Sequence, residues 1–240
     1  MLSIPDLAAL GFFLLCWSCY EPVLQWIRGK DGVLNTDMSR LRVAWMIEMS
    51  RRESRFIDGQ LLGHALNSAS FFASSNLLLI AASAGVLFGG EDAFRSVSSL
   101  ALIRTSTRLL FETQLALVLI TLARGLLDFI WSIRQMNYTL TIIGAAPEPR
   151  EGEDWPASAS LRDGLGQAAA QVLNGSLTAF NAGVRGYYFA LAAAAWMFGP
   201  VALTLATVGA VGLLAWRQTY SPAAKAIHRL RETLDKSGIE

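Results

Sequence analysis

Lysine is scarce in this 240-residue chain: three stand beside seventeen arginines, and histidine and cysteine occur only twice each. Charge of either sign is thin as well, at 16% of residues, where a soluble globular domain carries about 25%. The formal net charge of +1 leaves no basic excess for binding nucleic acid. His64 and His228 are far apart in sequence, and neither has metal-ligand spacing with another histidine or cysteine. Asn174-Gly175-Ser176 lacks the frame of a nucleophile elbow, and no phosphate-cradling glycine loop occurs. No enzymatic activity, metal or cofactor is therefore expected. No internal repeat is visible, so nothing points to an inverted-repeat transporter. The first apolar run has no basic region ahead of it and continues into Tyr20-Glu21-Pro22 rather than a cleavage site. It reads as a retained membrane helix, not a signal peptide.

What the chain has instead is apolar length: 53% of its residues are hydrophobic, and they cluster in runs. A membrane-spanning helix needs about 20 predominantly apolar residues. Such runs cover about 7–27, 68–89, 109–133 and 187–216, which predicts an all-α membrane protein with about four transmembrane helices. Pro22 is placed to kink the first. The last would be about 45 Å long at helical rise, too long for one upright span. Gly199-Pro200 lies inside it, so it is either one tilted, kinked helix or a re-entrant hairpin. The alternative architecture is thus three spans plus a hairpin. Cys16 and Cys19 fall inside the first run, where hydrocarbon disfavours the thiolate, and read as inert structural thiols.

Orientation follows from the basic residues in the loops. Segment 28–65 holds Arg28, Lys30, Arg40, Arg42, Arg51, Arg52 and Arg55, so it is expected in the cytoplasm, with the N-terminus outside. Segment 134–185 is then cytoplasmic too. The polar tail, 217–240, resists this scheme. Four spans put it outside, yet it carries Arg217, Lys225, Arg229, Arg231 and Lys236, and a hairpin at Gly199-Pro200 would remove the conflict. Segment 36–62 reads as a cytoplasmic amphipathic helix, with Met38, Leu41, Trp45, Met49 and Phe56 on one face. It would lie on anionic headgroups or dock on the protein itself. Segment 147–164 reads as an acidic, proline-punctuated loop.

The third apolar run carries the most chemistry. Gln114, Thr121, Arg124, Asp128, Trp131, Gln135 and Tyr138 recur at spacings of three, four or seven, which places them in one helical stripe. Arg124 and Asp128, four apart, can pair within the helix. Ionisable residues at membrane depth are costly unless they face a partner, a bundle interior or water. The stripe therefore reads either as a polar seam lining a pore or as a structural ion pair clamping two helices. Glu112, nearly opposite, reads as a helix-terminal carboxylate. In the second run Asn67, Ser70, Ser74, Ala81 and Gly85 share a face of small residues suited to close helix packing.

Several longer stretches then come together. They are Ser70 to Ser75, Phe129-Ile130-Trp131-Ser132-Ile133-Arg134-Gln135-Met136-Asn137-Tyr138, Gly144 to Pro147, and Phe180-Asn181-Ala182-Gly183-Val184-Arg185-Gly186-Tyr187-Tyr188, followed by Trp196 and Gly199-Pro200. Together they resemble DUF599, a family of multi-pass membrane proteins of bacteria and plants, from about Trp45 to Trp216. Met136 stands where the family's run has an aromatic residue. The resemblance implies a membrane location and a recurrent polar patch, with no catalytic role to carry over. It groups Arg134, Asn137, Asn181, Arg185, Tyr187 and Tyr188 at one membrane depth in the four-span scheme. They form either an interfacial pocket for an anion, lipid headgroup or partner, or an anchoring belt.

Two functional classes follow. The leading one is an oligomeric channel or carrier for ions or small solutes, its third-helix stripes lining an axis between copies. The alternative is a non-catalytic accessory or scaffold subunit of a larger membrane complex, or a lipid-binding membrane protein. Expected partners are membrane lipid and other membrane subunits, in a bacterial inner membrane.

Overall fold

A computed structural model describes residues 3–28, 33–100, 103–104, 107–147 and 155–237, and among these the chain forms eight α-helices and no strand. They are α1 (Ile4–Arg28), α2 (Leu34–Arg51), α3 (Phe56–Phe88), α4 (Gly90–Ser98), α5 (Arg108–Ala145), α6 (Trp155–Ala194), α7 (Pro200–Thr219) and α8 (Pro222–Ser237). Four stretches are long and apolar enough to cross a membrane: Ile4–Leu24, Phe56–Phe88, Arg108–Ala145 and one that begins at Pro200. The all-α architecture predicted from the apolar runs is the one observed.

Local chemistry starts these helices where the sequence allows it. Ser3 and Asp6 form a reciprocal cap on α1: the Asp6 amide donates to Ser3 Oγ, and the Ser3 amide donates to the Asp6 carboxylate. Thr107 Oγ1 accepts the Leu110 amide at the head of α5. Ser221 Oγ accepts the Ala224 amide at the head of α8, where Pro222 occupies the first position.

The chain divides into two compact units. The first comprises Met1–Arg28, Ala73–Leu127 and Ala182–Arg217; the second comprises Gly29–Phe72, Asp128–Asn181 and Gln218–Glu240. Helices α3, α5 and α6 contribute to both. In the first unit Phe13, Leu122, Phe189, Trp196, Leu203 and Leu214 belong to one buried cluster. Phe13 meets the edge of Phe189 with ring centroids 5.8 Å apart. A methyl carbon at Gly186 would sit 3.3 Å from the Gly125 Cα, so these glycines let α5 and α6 meet backbone to backbone. The second unit has its own core, with Met46, Met49, Leu62, Met136 and Leu173 buried together. Phe72, Phe129 and Phe180 form a mutual ring triad there.

Four boundaries differ from the sequence expectation. Segment 36–62 is two helices: α2 stops at Arg51, Arg52 is extended, and α3 starts at Phe56. Arg55 explains the break. Its guanidinium donates to the Met49 and Ser50 carbonyls, ending α2, and to those of Ala146 and Pro147, ending α5. Of the expected face, Met49 is buried and Met38, Leu41 and Trp45 are half-buried, but the buried side of α2 also takes in Asp37, Arg42, Met46 and Ser50, and Phe56, exposed, belongs to α3. Segment 147–164 is not loop throughout, because α6 begins at Trp155; residues 148–154 lie outside the described ones. The stretch 187–216 is not one kinked helix. After α6 comes a 3-10 turn, Ala195–Phe198, then Gly199 at φ +110°, then α7. Arg217 near the end of α7 donates to the Tyr188 hydroxyl on α6, so α7 runs back along α6 as a helical hairpin. Finally, the polar tail is helical over Pro222–Ser237.

Candidate functional site

The second unit holds most of the polar chemistry, with 27 of the chain's 39 charged residues in its segments. Helix α2 acts as its polar spine. At its start Asp37 is almost fully buried in the first turn, where a helix favours a carboxylate. Its two oxygens are divided between α8 residues: Oδ2 faces His228 Nδ1 at 3.0 Å and Oδ1 accepts from Arg231 Nη1 at 3.0 Å. His228 Nε2 lies 3.5 Å from Glu232 of its own helix. Asn35 accepts from Asn181 through its side chain, and its amide donates to Gln218 Oε1.

Two turns further along α2, Arg42 is buried and donates to Asn174 Oδ1 at 2.9 Å, while Asn174 Nδ2 donates to the Ser39 carbonyl. Burial pushes the Arg42 guanidinium below its usual range, though arginine retains its charge in proteins. The next residues of α6 extend this node. Gln135 of α5 rests against Gly175, which has no side chain to displace it. Ser176 Oγ donates to the Ser132 carbonyl at 2.8 Å. The Asn-Gly-Ser triplet is therefore a packing and hydrogen-bonding junction of α2, α5 and α6. At the head of α3, Asp58 is fully buried and its Oδ1 accepts from Trp45 Nε1 and Arg52 Nη1, both at 2.7 Å.

In the first unit three polar side chains donate to backbone carbonyls. Gln114 donates to the Trp196 carbonyl at 3.0 Å, Thr121 to Leu117 of its own helix, and Asn76 to Leu122 at 2.9 Å. Trp196 in turn donates to Asp6 Oδ1. Arg185 pairs with Glu21 at 2.8 Å and lies over the Tyr20 ring, 5.8 Å from its centroid. Cys16 and Cys19 line an apolar cleft of about 350 Å³ between α1 and α7, beside Phe12, Tyr20 and Val211.

Of the predicted stripe, Gln114 and Thr121 are buried, Asp128 and Gln135 are half-buried, and Arg124, Trp131 and Tyr138 are exposed. The side of α5 that is buried runs instead through Val118, Gly125, Phe129, Ser132, Met136 and Thr139. Of the predicted pocket, Arg134 and Asn137 are exposed, and Arg134 donates to Tyr138 one turn on. Asn181 binds Asn35, Arg185 binds Glu21, and Tyr188 accepts from Arg217, while Tyr187 is half-buried. Arg134 and Asn181 belong to the second unit, Arg185 and Tyr188 to the first. The sequence reading missed Asp37, His228, Arg231 and Glu21. Asp37 has no spacing relation to His228 or Arg231 in the sequence, and only the fold carries α8 to it.

No curated protein and no solved structure matches this chain. A family model described as "Protein of unknown function, DUF599" matches residues 8–223, nearly the whole length. The chain belongs to DUF599.

Proposed function

We propose that this is a multi-pass protein of the bacterial inner membrane that crosses five times and acts as a non-catalytic accessory or scaffold subunit, its second unit in the cytoplasm. The observation that carries the reading is the partition of charge. Every charged residue of the first unit falls at Asp6, between Glu91 and Glu112, or at Glu21, Arg28, Arg124, Arg185 and Arg217. Residues 7–20, 73–90, 113–123 and 186–216 have none, as lipid requires. The second group lies within eight residues of the points where the chain passes to the second unit, whose segments hold thirteen of the twenty lysines and arginines. The positive-inside bias puts that side in the cytoplasm.

Chain continuity supports five crossings. Segments 29–72, 128–181 and 218–240 share one unit, so the tail returns to the side on which α2 lies. Four crossings would strand it on the other. Residues 182–198 supply the missing traverse, about 25 Å at helical rise, and α7 returns from Gly199.

The scaffold reading rests on how the stripe is used. Gln114 and Thr121 are buried and each donates to a backbone carbonyl, and the Gly125–Gly186 contact leaves no room there between α5 and α6 for water. A pore formed between copies is the second reading, and the exposed Arg124 on α5 favours it. Purified protein in liposomes separates the two. The scaffold predicts ion and small-solute leakage equal to that of protein-free liposomes. Leakage that rises with protein density and is lost in Arg124→Leu would overturn it in favour of the pore.

A further inference from the structure

Helix α8 carries its own start signals, the Ser221 cap and Pro222, which fix where it begins. Among its described residues only Ala224 is buried, and Leu230 is half exposed to solvent. Buried apolar surface among its described residues is thus small, limited to Ala224 and the half-buried Ile227. Two of its polar side chains meet one group on α2: His228 and Arg231, on adjacent turns, both bind the Asp37 carboxylate at 3.0 Å. That carboxylate is 2% exposed, whereas the His228 side chain is 39% exposed. The Arg231 side chain is 13% exposed, so the ion pair is largely desolvated, and such a pair is a strong hold while intact and a poor one once either side loses its charge.

We infer that α8 is an ionic latch, fastened to the head of α2 through Asp37 and able to open without unfolding the rest of the second unit. His228 sits between Asp37 and its own Glu232, with Arg231 beside it, so two α8 side chains reach the same α2 carboxylate. Opening exposes the Asp37 end of α2 and frees a helix of sixteen residues carrying Lys225, Arg229 and Arg231. An undocked helix of this length is marginal in water and frays. Fraying is the measurable sign of opening.

Hydrogen exchange of the full-length protein in detergent micelles tests the latch, comparing residues 222–237 with the α5 and α6 stretches of the same unit. Asp37→Asn keeps the shape and removes the charge. Exchange in 222–237 should accelerate by about ten- to a hundredfold, the factor equivalent to one lost charge-assisted bond, with α5 and α6 unchanged. The double variant His228→Gln with Arg231→Gln alters α8 alone and should do the same even if Asp37→Asn folds poorly. If α8 exchanges at the wild-type rate in the double variant, apolar packing holds it and the latch is wrong. If α5 and α6 accelerate together with α8, Asp37 is a core residue of the whole unit, and the latch is equally wrong.

Discussion

Glycine and buried polar residues show how much the neighbourhood decides at the scale of a single side chain. Gly85 and Gly186 both lie on apolar helices, yet a methyl at Gly85 would meet nothing within 4 Å, whereas one at Gly186 would press on the Gly125 Cα at 3.3 Å. Gly85→Ala should therefore be neutral or stabilising by up to about 1 kcal/mol through helix propensity. Gly186→Val should cost about 1–3 kcal/mol by forcing α5 and α6 apart. Thermal unfolding in one detergent checks both, and an equal effect of the two would refute the close contact. Nothing in the sequence ranks the two glycines, because the partner surface of each is set by the fold. The polar stripe on α5 divides for the same reason. Gln114 and Thr121 turn inward to carbonyls while Arg124 and Trp131 stay exposed, since a spacing of three, four or seven fixes a face but not what covers it.

Helix ends, more than helix interiors, define the elements. Gly199 adopts φ +110° and ψ 170°, a conformation that side-chain-bearing residues rarely enter. Gly199→Ala should destabilise the hairpin by about 1–3 kcal/mol, visible as a lower unfolding temperature and a smaller yield of folded protein. An unchanged unfolding temperature would show that the turn tolerates a side chain. Arg55 is the second such point. One guanidinium ends two helices far apart in sequence, α2 and α5, through four carbonyls. Arg55→Ala should cost about 1–3 kcal/mol, and Arg55→Lys should recover little of it, because an ammonium cannot span the fork. Full recovery by lysine would reduce the role to charge alone. The break at 52–55 was not legible in the sequence for this reason: half of the contacts that fix Arg55 there lie about ninety residues away, at Ala146 and Pro147.

The whole molecule is organised by where charge is allowed. The apolar unit confines its charges to its margins, and the polar unit buries Asp37, Arg42 and Asp58 among partners. Cysteine labelling measures the resulting topology directly. With Cys16 and Cys19 replaced by serine, the exposed positions Ser54, Ser96 and Ala226 can each be changed to cysteine in turn. Ser96→Cys should react with an impermeant reagent in intact cells, while Ser54→Cys and Ala226→Cys should react only after permeabilisation. Labelling of Ala226→Cys from outside would remove the fifth traverse. Protection of Ser96→Cys together with labelling of Ser54→Cys would reverse the orientation.

The sequence alone determined the solvent of this protein and the helical class, because apolar run length and backbone hydrogen bonding leave lipid few alternatives. It also located the break at Gly199-Pro200 and marked the tail as out of place in a four-span scheme. The tertiary structure decided that this break is a full hairpin, that α8 returns to α2, and which polar residues meet. Those outcomes depend on contacts such as Asp37 with His228, 191 residues apart, and no local propensity or periodicity encodes a partner at that separation.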